Sequence, residues 1–129
     1  MITVTAAVIR RDTQILAARR AQGKHLAGFW EFPGGKLEPN ETPEQCLARE
    51  LAEEFGVETR IGKFIGESIY DYGEKVIRLI AYEVCHLNGE FQLHDHDELR
   101  WLSPSELHEI EWAPADIPLL EPVKNLFAV

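Results

Sequence analysis

The run Gly35-Lys36-Leu37-Glu38-Pro39-Asn40-Glu41, continued by Thr42-Pro43-Glu44-Gln45-Cys46-Leu47-Ala48-Arg49-Glu50-Leu51-Ala52-Glu53-Glu54-Phe55-Gly56-Val57, decides how this chain is read. A turn-rich loop feeds a helix whose two ends are both marked. Thr42 is an N-cap residue, Pro43 suits the first helical position, and Gln45 completes a capping box. Leu47, Leu51 and Phe55 recur every four residues with Ala48 and Ala52 beside them, which makes one apolar stripe. Gly56 is placed to end the helix. Glu50, Glu53 and Glu54 fall at i, i+3 and i+4, so three carboxylates share one helical face. Like charges so placed repel by roughly 0.2–0.5 kcal/mol per pair, and they lie beyond the first turn, where the helix dipole would favour them. A solvated acidic face is one reading. The other is a set of hard oxygen ligands for Mg²⁺, with Mn²⁺ as the alternative.

Spacing separates the two. The pattern is Gly, five residues, Glu41, seven residues, then Arg49-Glu50-aliphatic-any-Glu53-Glu54-any-Gly56-aliphatic. Chance agreement at one start point is on the order of 10⁻⁹ at average residue usage. In this stretch, residues 35–57, the chain resembles the Nudix hydrolases at every specified position of their signature box. The surrounding Phe32-Pro33-Gly34-Gly35-Lys36, Thr42-Pro43-Glu44, early Arg19-Arg20 and Ala113-Pro114-Ala115-Asp116 resemble the MutT-like branch, whose members include 8-oxo-dGTP diphosphatases and CTP pyrophosphohydrolases. The resemblance implies a single Nudix domain over residues 1–129. Its expected architecture is an α/β (α+β) fold, an α/β/α sandwich around a mixed β-sheet.

The resemblance also assigns residues. It puts Glu50, Glu53 and Glu54 on the metal, with Glu53 a candidate base for the attacking water, and gives Gly34 a backbone ligand. A later acidic ligand belongs to a Glu-His-four residues-Trp pattern. Here that stretch is Asp95-His96-Asp97-Glu98-Leu99-Arg100-Trp101, so the shorter Asp95 takes the place of Glu. Arg49 orients the box glutamates in the family, with Glu41 its expected partner, and a simple i, i+4 pair with Glu53 is the plainer alternative. Glu53, Glu50, Arg49 and Asp95 are thus the catalytic candidates, and Gly35, Glu41 and Gly56 shape the box. Arg20 and His25 match nucleotide-contacting positions. Glu31, on the strand entering the Gly-Gly loop, is expected to line the pocket, while Trp30 and Phe32 are expected in the core. Asp116 stands where the guanine-oxidation specialist carries Asn. An ionised carboxylate only accepts hydrogen bonds, which would suit the N4 amino group of cytosine, whereas a protonated one or a helix cap are the other readings of this residue.

The rest of the chain agrees with one small domain. It has 129 residues, 45% hydrophobic and 27% charged, with a net charge of −9. That charge opposes a nucleic-acid polymer or an anionic membrane as partner but leaves room for a nucleotide held through cations. Two cysteines, Cys46 and Cys85, make no disulfide framework, and both read as packing residues. The apolar N-terminus is short and lacks a basic leader, so a cytoplasmic setting is expected. Residues 2–10 and 14–19 read as a hairpin, 57–71 and 75–86 as paired strands, 99–102 as a short strand and 118–127 as a final helix. The expected activity is Mg²⁺-dependent hydrolysis of (deoxy)nucleoside triphosphates, oxidised or cytidine-type ones included, to monophosphate and pyrophosphate, by a monomer or homodimer. Alternatives are ADP-ribose, nucleotide-sugar or dinucleoside polyphosphate hydrolysis, or a sensing module without turnover.

Overall fold

The computed structural model describes residues 1–127. At its centre is β1, Ile2–Arg11, whose residues Thr5 to Ile9 are buried without interruption. A strand covered on both faces needs such a run rather than an alternation. Its side chains divide between two cores. Ala6 and Val8 face one way, Ala7 and Ile9 the other. One edge of β1 pairs in parallel with β6, Val76–Asn88, from Ile2↔Ile77 to Ile9↔Val84. Its other edge is shared: the first half meets β4, Gly34–Lys36, and the end meets β2, Gln14–Arg20. Beyond β6 lies β5, Glu58–Asp71, antiparallel. Beyond β2 lie β3, Trp30–Glu31, and β7, His96–Leu102. The sheet is therefore mixed, as expected.

Helix α1, Pro43–Phe55, covers one face. Both hydrogen bonds of its capping box form, Gln45 N to Thr42 Oγ1 at 3.1 Å and Thr42 N to Gln45 Oε1 at 2.9 Å. Gly56 closes it at φ 69°, a conformation that costs glycine nothing. Its stripe Leu47, Leu51 and Phe55 is fully buried against Ala7, Ile9, Leu16, Ala18 and Val84. The opposite face is covered by two 3₁₀ turns, Pro104–Glu109 and Pro114–Leu119, and by α2, Leu120–Asn125. Trp30 and Phe32 are buried there beside Trp112, Leu119 and Val123.

Four sequence expectations change. The short strand over 99–102 begins at His96, because β7 pairs along β2 as far as Arg20. The loop around Gly34 contains β4, drawn into the sheet by β1. The final helix is two pieces: Pro118 has no N–H to donate, so a 3₁₀ turn precedes α2. Cys85 is exposed, not packed, because its neighbour Val84 takes the core-facing direction in β6; Cys46 is buried.

Candidate active site

The site forms where β4 passes under α1. β4 approaches so closely that a Cβ on Gly34 would strike the Thr5 carbonyl, and one on Gly35 would strike the Glu50 carboxyl. Only glycines permit this, and the result is a carboxylate laid against bare backbone. Arg49 holds the region together. Its guanidinium grips Glu41 through two bonds of 2.8 Å and also donates to Glu50 at 3.0 Å, Glu53 at 3.2 Å and the Lys36 carbonyl at 3.3 Å. It thus makes the Glu53 pair and a wider net besides. The bidentate grip lowers the Glu41 carboxyl to about 2, with the Glu38 N–H helping.

The three helix carboxylates meet different surroundings. Burial pushes Glu50 up, and Arg49 opposes the shift. Glu53 is the outermost, its side chain 60% exposed. Burial also raises Glu54, and Asp95 beside it adds to the effect. Asp95 is itself lowered, chiefly by a 3.0 Å ion pair with Lys24. Glu54 Oε2 is buried with no hydrogen-bond partner among the described residues. Among the described residues no three acidic, His or Cys side chains already converge as a metal cage. Yet an orphaned buried carboxylate oxygen, a second carboxylate facing it and a third carboxylate cradled on Gly35 are a donor set that suits a hard divalent cation.

A cavity of about 160 Å³ opens next to this region, walled by Arg20, His25, Glu31, Tyr72, Lys75 and Asp116. A second, of about 190 Å³, runs along Gly34 and Gly35. The two share Val4, Arg20, Glu31, Leu79 and Asp116 as walls, so they form one trough ending near the acidic helix face. Tyr72 accepts a 2.9 Å bond from Ala115 N and stands edge-on to the His25 ring, which ties the β5–β6 tip to the turn carrying Asp116.

Asp116 is 4% exposed and accepts from Phe32 N at 3.0 Å. It is not a helix cap. Burial, and then the charge of Glu31, push its carboxyl well above the ordinary range. A carboxyl so shifted favours its protonated form, which both donates and accepts, over the acceptor-only form. Glu31 faces the same cavity, with Arg20 3.3 Å and His96 2.7 Å from its Oε2. Lys24 and His96 were not assigned roles from sequence. Lys24 becomes visible only when β2 and β7 meet; His96 lay inside the Asp95 motif but carried no sign of its partner.

The NUDIX domain pattern matches residues 1–122. The chain belongs to the Nudix family. A "CTP pyrophosphohydrolase" of Escherichia coli is 46% identical over 121 residues, covering 94% of this chain and 90% of the relative. An "8-oxo-dGTP diphosphatase" of the same organism is 32% identical over 126 residues, covering 97% and 98%. Among solved structures, the E. coli ORF135 protein superposes with a TM-score of 0.88 at 44% identity, covering 99% of this chain and 91% of that one. A MutT protein from Methanosarcina mazei superposes at 0.87 with 27% identity, covering 99% and 96%. The Nudix chain described here is thus a hydrolase of the pyrophosphohydrolase kind, with a mixed-sheet α+β fold. Among its described residues no helix is long and apolar enough to cross a membrane.

Proposed function

We propose that this Nudix domain hydrolyses (deoxy)nucleoside triphosphates to the monophosphate and pyrophosphate with Mg²⁺, and that cytidine-type and oxidised nucleotides are its substrates. The observation that carries the reading is the shared trough. It offers a base-sized floor at Asp116 and Glu31 and leads along Gly34-Gly35 to the carboxylates of α1. The base is read by Asp116, whose burial favours the protonated carboxyl, beside an acceptor. In its protonated form Asp116 donates to the ring N3 of cytosine, and Glu31 accepts from its N4 amino group. Arg20 and His25, at the trough wall, provide donors for phosphate or base oxygens.

Glu50, Glu53, Glu54 and Asp95 would hold the ion, together with the Gly34 carbonyl. A bound divalent ion supplies charge neutralisation along the phosphate chain and a more acidic water. Glu53, its side chain 60% exposed, is the candidate to take a proton from a water. Arg49 positions Glu50 and Glu53 and, through Glu41, fixes the loop against the helix. The names of the E. coli relatives support both base classes.

The test is a panel of CTP, dCTP, 5-methyl-dCTP, dGTP and 8-oxo-dGTP with Mg²⁺ and product identification. Pyrophosphate and a monophosphate are expected; release of orthophosphate alone, or turnover of ADP-ribose only, would reject the reading. Glu53→Gln is expected to lower kcat by about 10²–10⁴-fold, the usual reach of a proton-transfer group, while calorimetric nucleotide binding stays measurable.

A further inference from the structure

His96 sits outside both cavities, yet it is bound to their floor. The ring is 5% exposed and stacks on Phe55 at 5.3 Å with a 23° tilt. Its Nε2 lies 2.7 Å from Glu31 Oε2. That contact requires the hydrogen on Nε2, since a bare ring nitrogen would set its lone pair against the carboxylate's. His96 Nδ1 is buried and has no partner among the described residues. Leaving that nitrogen unpaired is costly, and an apolar side chain would fill the space without the cost. The ring is therefore kept for the one bond it makes.

That bond has a geometric companion. His96 is cross-strand from Arg20, and both side chains converge on the same oxygen of Glu31. Arg20 is held in turn by the His25 carbonyl at 3.0 Å. Glu31 is clamped from two sides, its carboxylate facing the cavity beside Asp116.

We propose that His96 is a positioning residue for base discrimination: by donating to Glu31 opposite Arg20, it fixes that carboxylate as an acceptor in the pocket floor, so that the pocket selects bases bearing an exocyclic amino group over their carbonyl counterparts. The proposal rests on the nucleotide-hydrolase reading for its ligand class but is tested without turnover. Cytosine and uracil differ at this position, amino against carbonyl, so CMP and UMP are the probes. An unpaired polar group in a desolvated site typically shifts binding by about tenfold or more. Calorimetry on the purified protein is expected to show CMP bound about tenfold tighter than UMP. In His96→Leu and in Glu31→Gln the ratio should fall to within about threefold of unity. His96→Gln, whose amide nitrogen reaches as far as Nε2, should keep the preference. His96→Asn, equally polar but too short, should lose it, and this pair carries the test if His96→Leu does not fold.

Mn²⁺ affinity, followed by electron paramagnetic resonance, should stay within about twofold in each His96 variant, since one bond of the base pocket is altered and no ion ligand is. Three results would overturn the proposal. One is equal affinity of the wild type for CMP and UMP. Another is an unchanged ratio in both His96→Leu and His96→Asn. The last is a joint loss of Mn²⁺ and of both nucleotides, which would make His96 a support for the Asp95 loop. Failure of the nucleotide-hydrolase reading would show instead as absent pyrophosphate release in the triphosphate panel.

Discussion

At the residue scale, two carboxylates of this protein are displaced in opposite directions, and each leaves a signature in stability. Asp116 is raised by burial and by Glu31. Below the ordinary Asp range both folded and unfolded chains hold the proton, and nothing is lost. As pH rises past the unfolded value, only the unfolded chain releases its proton freely, so stability falls until the folded value is reached. Asp116→Asn keeps an acceptor for Phe32 N and removes the titration. It is expected to raise stability at neutral pH by about 1–3 kcal/mol, the scale of a buried polar penalty, with the gain vanishing near pH 4; urea melts at a series of pH values check this. Glu41 is lowered to about 2 from its ordinary 4.5 by Arg49. Its contribution is therefore full above the unfolded value and is lost as pH falls through the folded one. Glu41→Gln should be destabilised at pH 6, and its melting temperature should converge on that of the wild type between pH 4.5 and 2.

At the element scale, the active region depends on how closely β4 can lie under α1. The helix is fixed at both ends by its own sequence, through the Thr42–Gln45 box and Gly56. The glycines of β4 then decide the gap. Gly35→Ala would set a methyl group into the Glu50 carboxyl. The helix is anchored by Leu47, Leu51 and Phe55, so the carboxylate yields before the helix does. The expected result is a loss of kcat of about 10²-fold or more, as for a misplacement of about 1 Å, with a melting temperature near that of the wild type. Differential scanning fluorimetry beside a steady-state assay separates the two effects.

At the scale of the whole molecule, β1 carries two cores back to back and supports the trough from below. The net charge of −9 concentrates in part on α1, where Glu50, Glu53 and Glu54 are close and Arg49 is the local counter-charge. A divalent ion that binds only the folded chain adds stability by mass action. Mg²⁺ at about 100 times its Kd should add about 2.7 kcal/mol, and chelation should remove it. An unchanged thermal midpoint with Mg²⁺ and with chelator would argue against an ion on this face.

The sequence by itself determined α1, its caps and its apolar stripe, because those depend on neighbours within four residues. It likewise determined the central strand and the family, because the box spacing is a local pattern. Only the tertiary structure decided what surrounds Asp116 and His96. The upward shift of the Asp116 carboxyl follows from burial beside Glu31, a residue 85 positions earlier in the chain. The bond of His96 spans 65 positions. Glu31 and His96 meet only when β2, β3 and β7 pair, and Asp116 joins them only when its 3₁₀ turn packs against Phe32; burial, which shifts the carboxyl and selects the hydrogen-bond partners, exists only once they have.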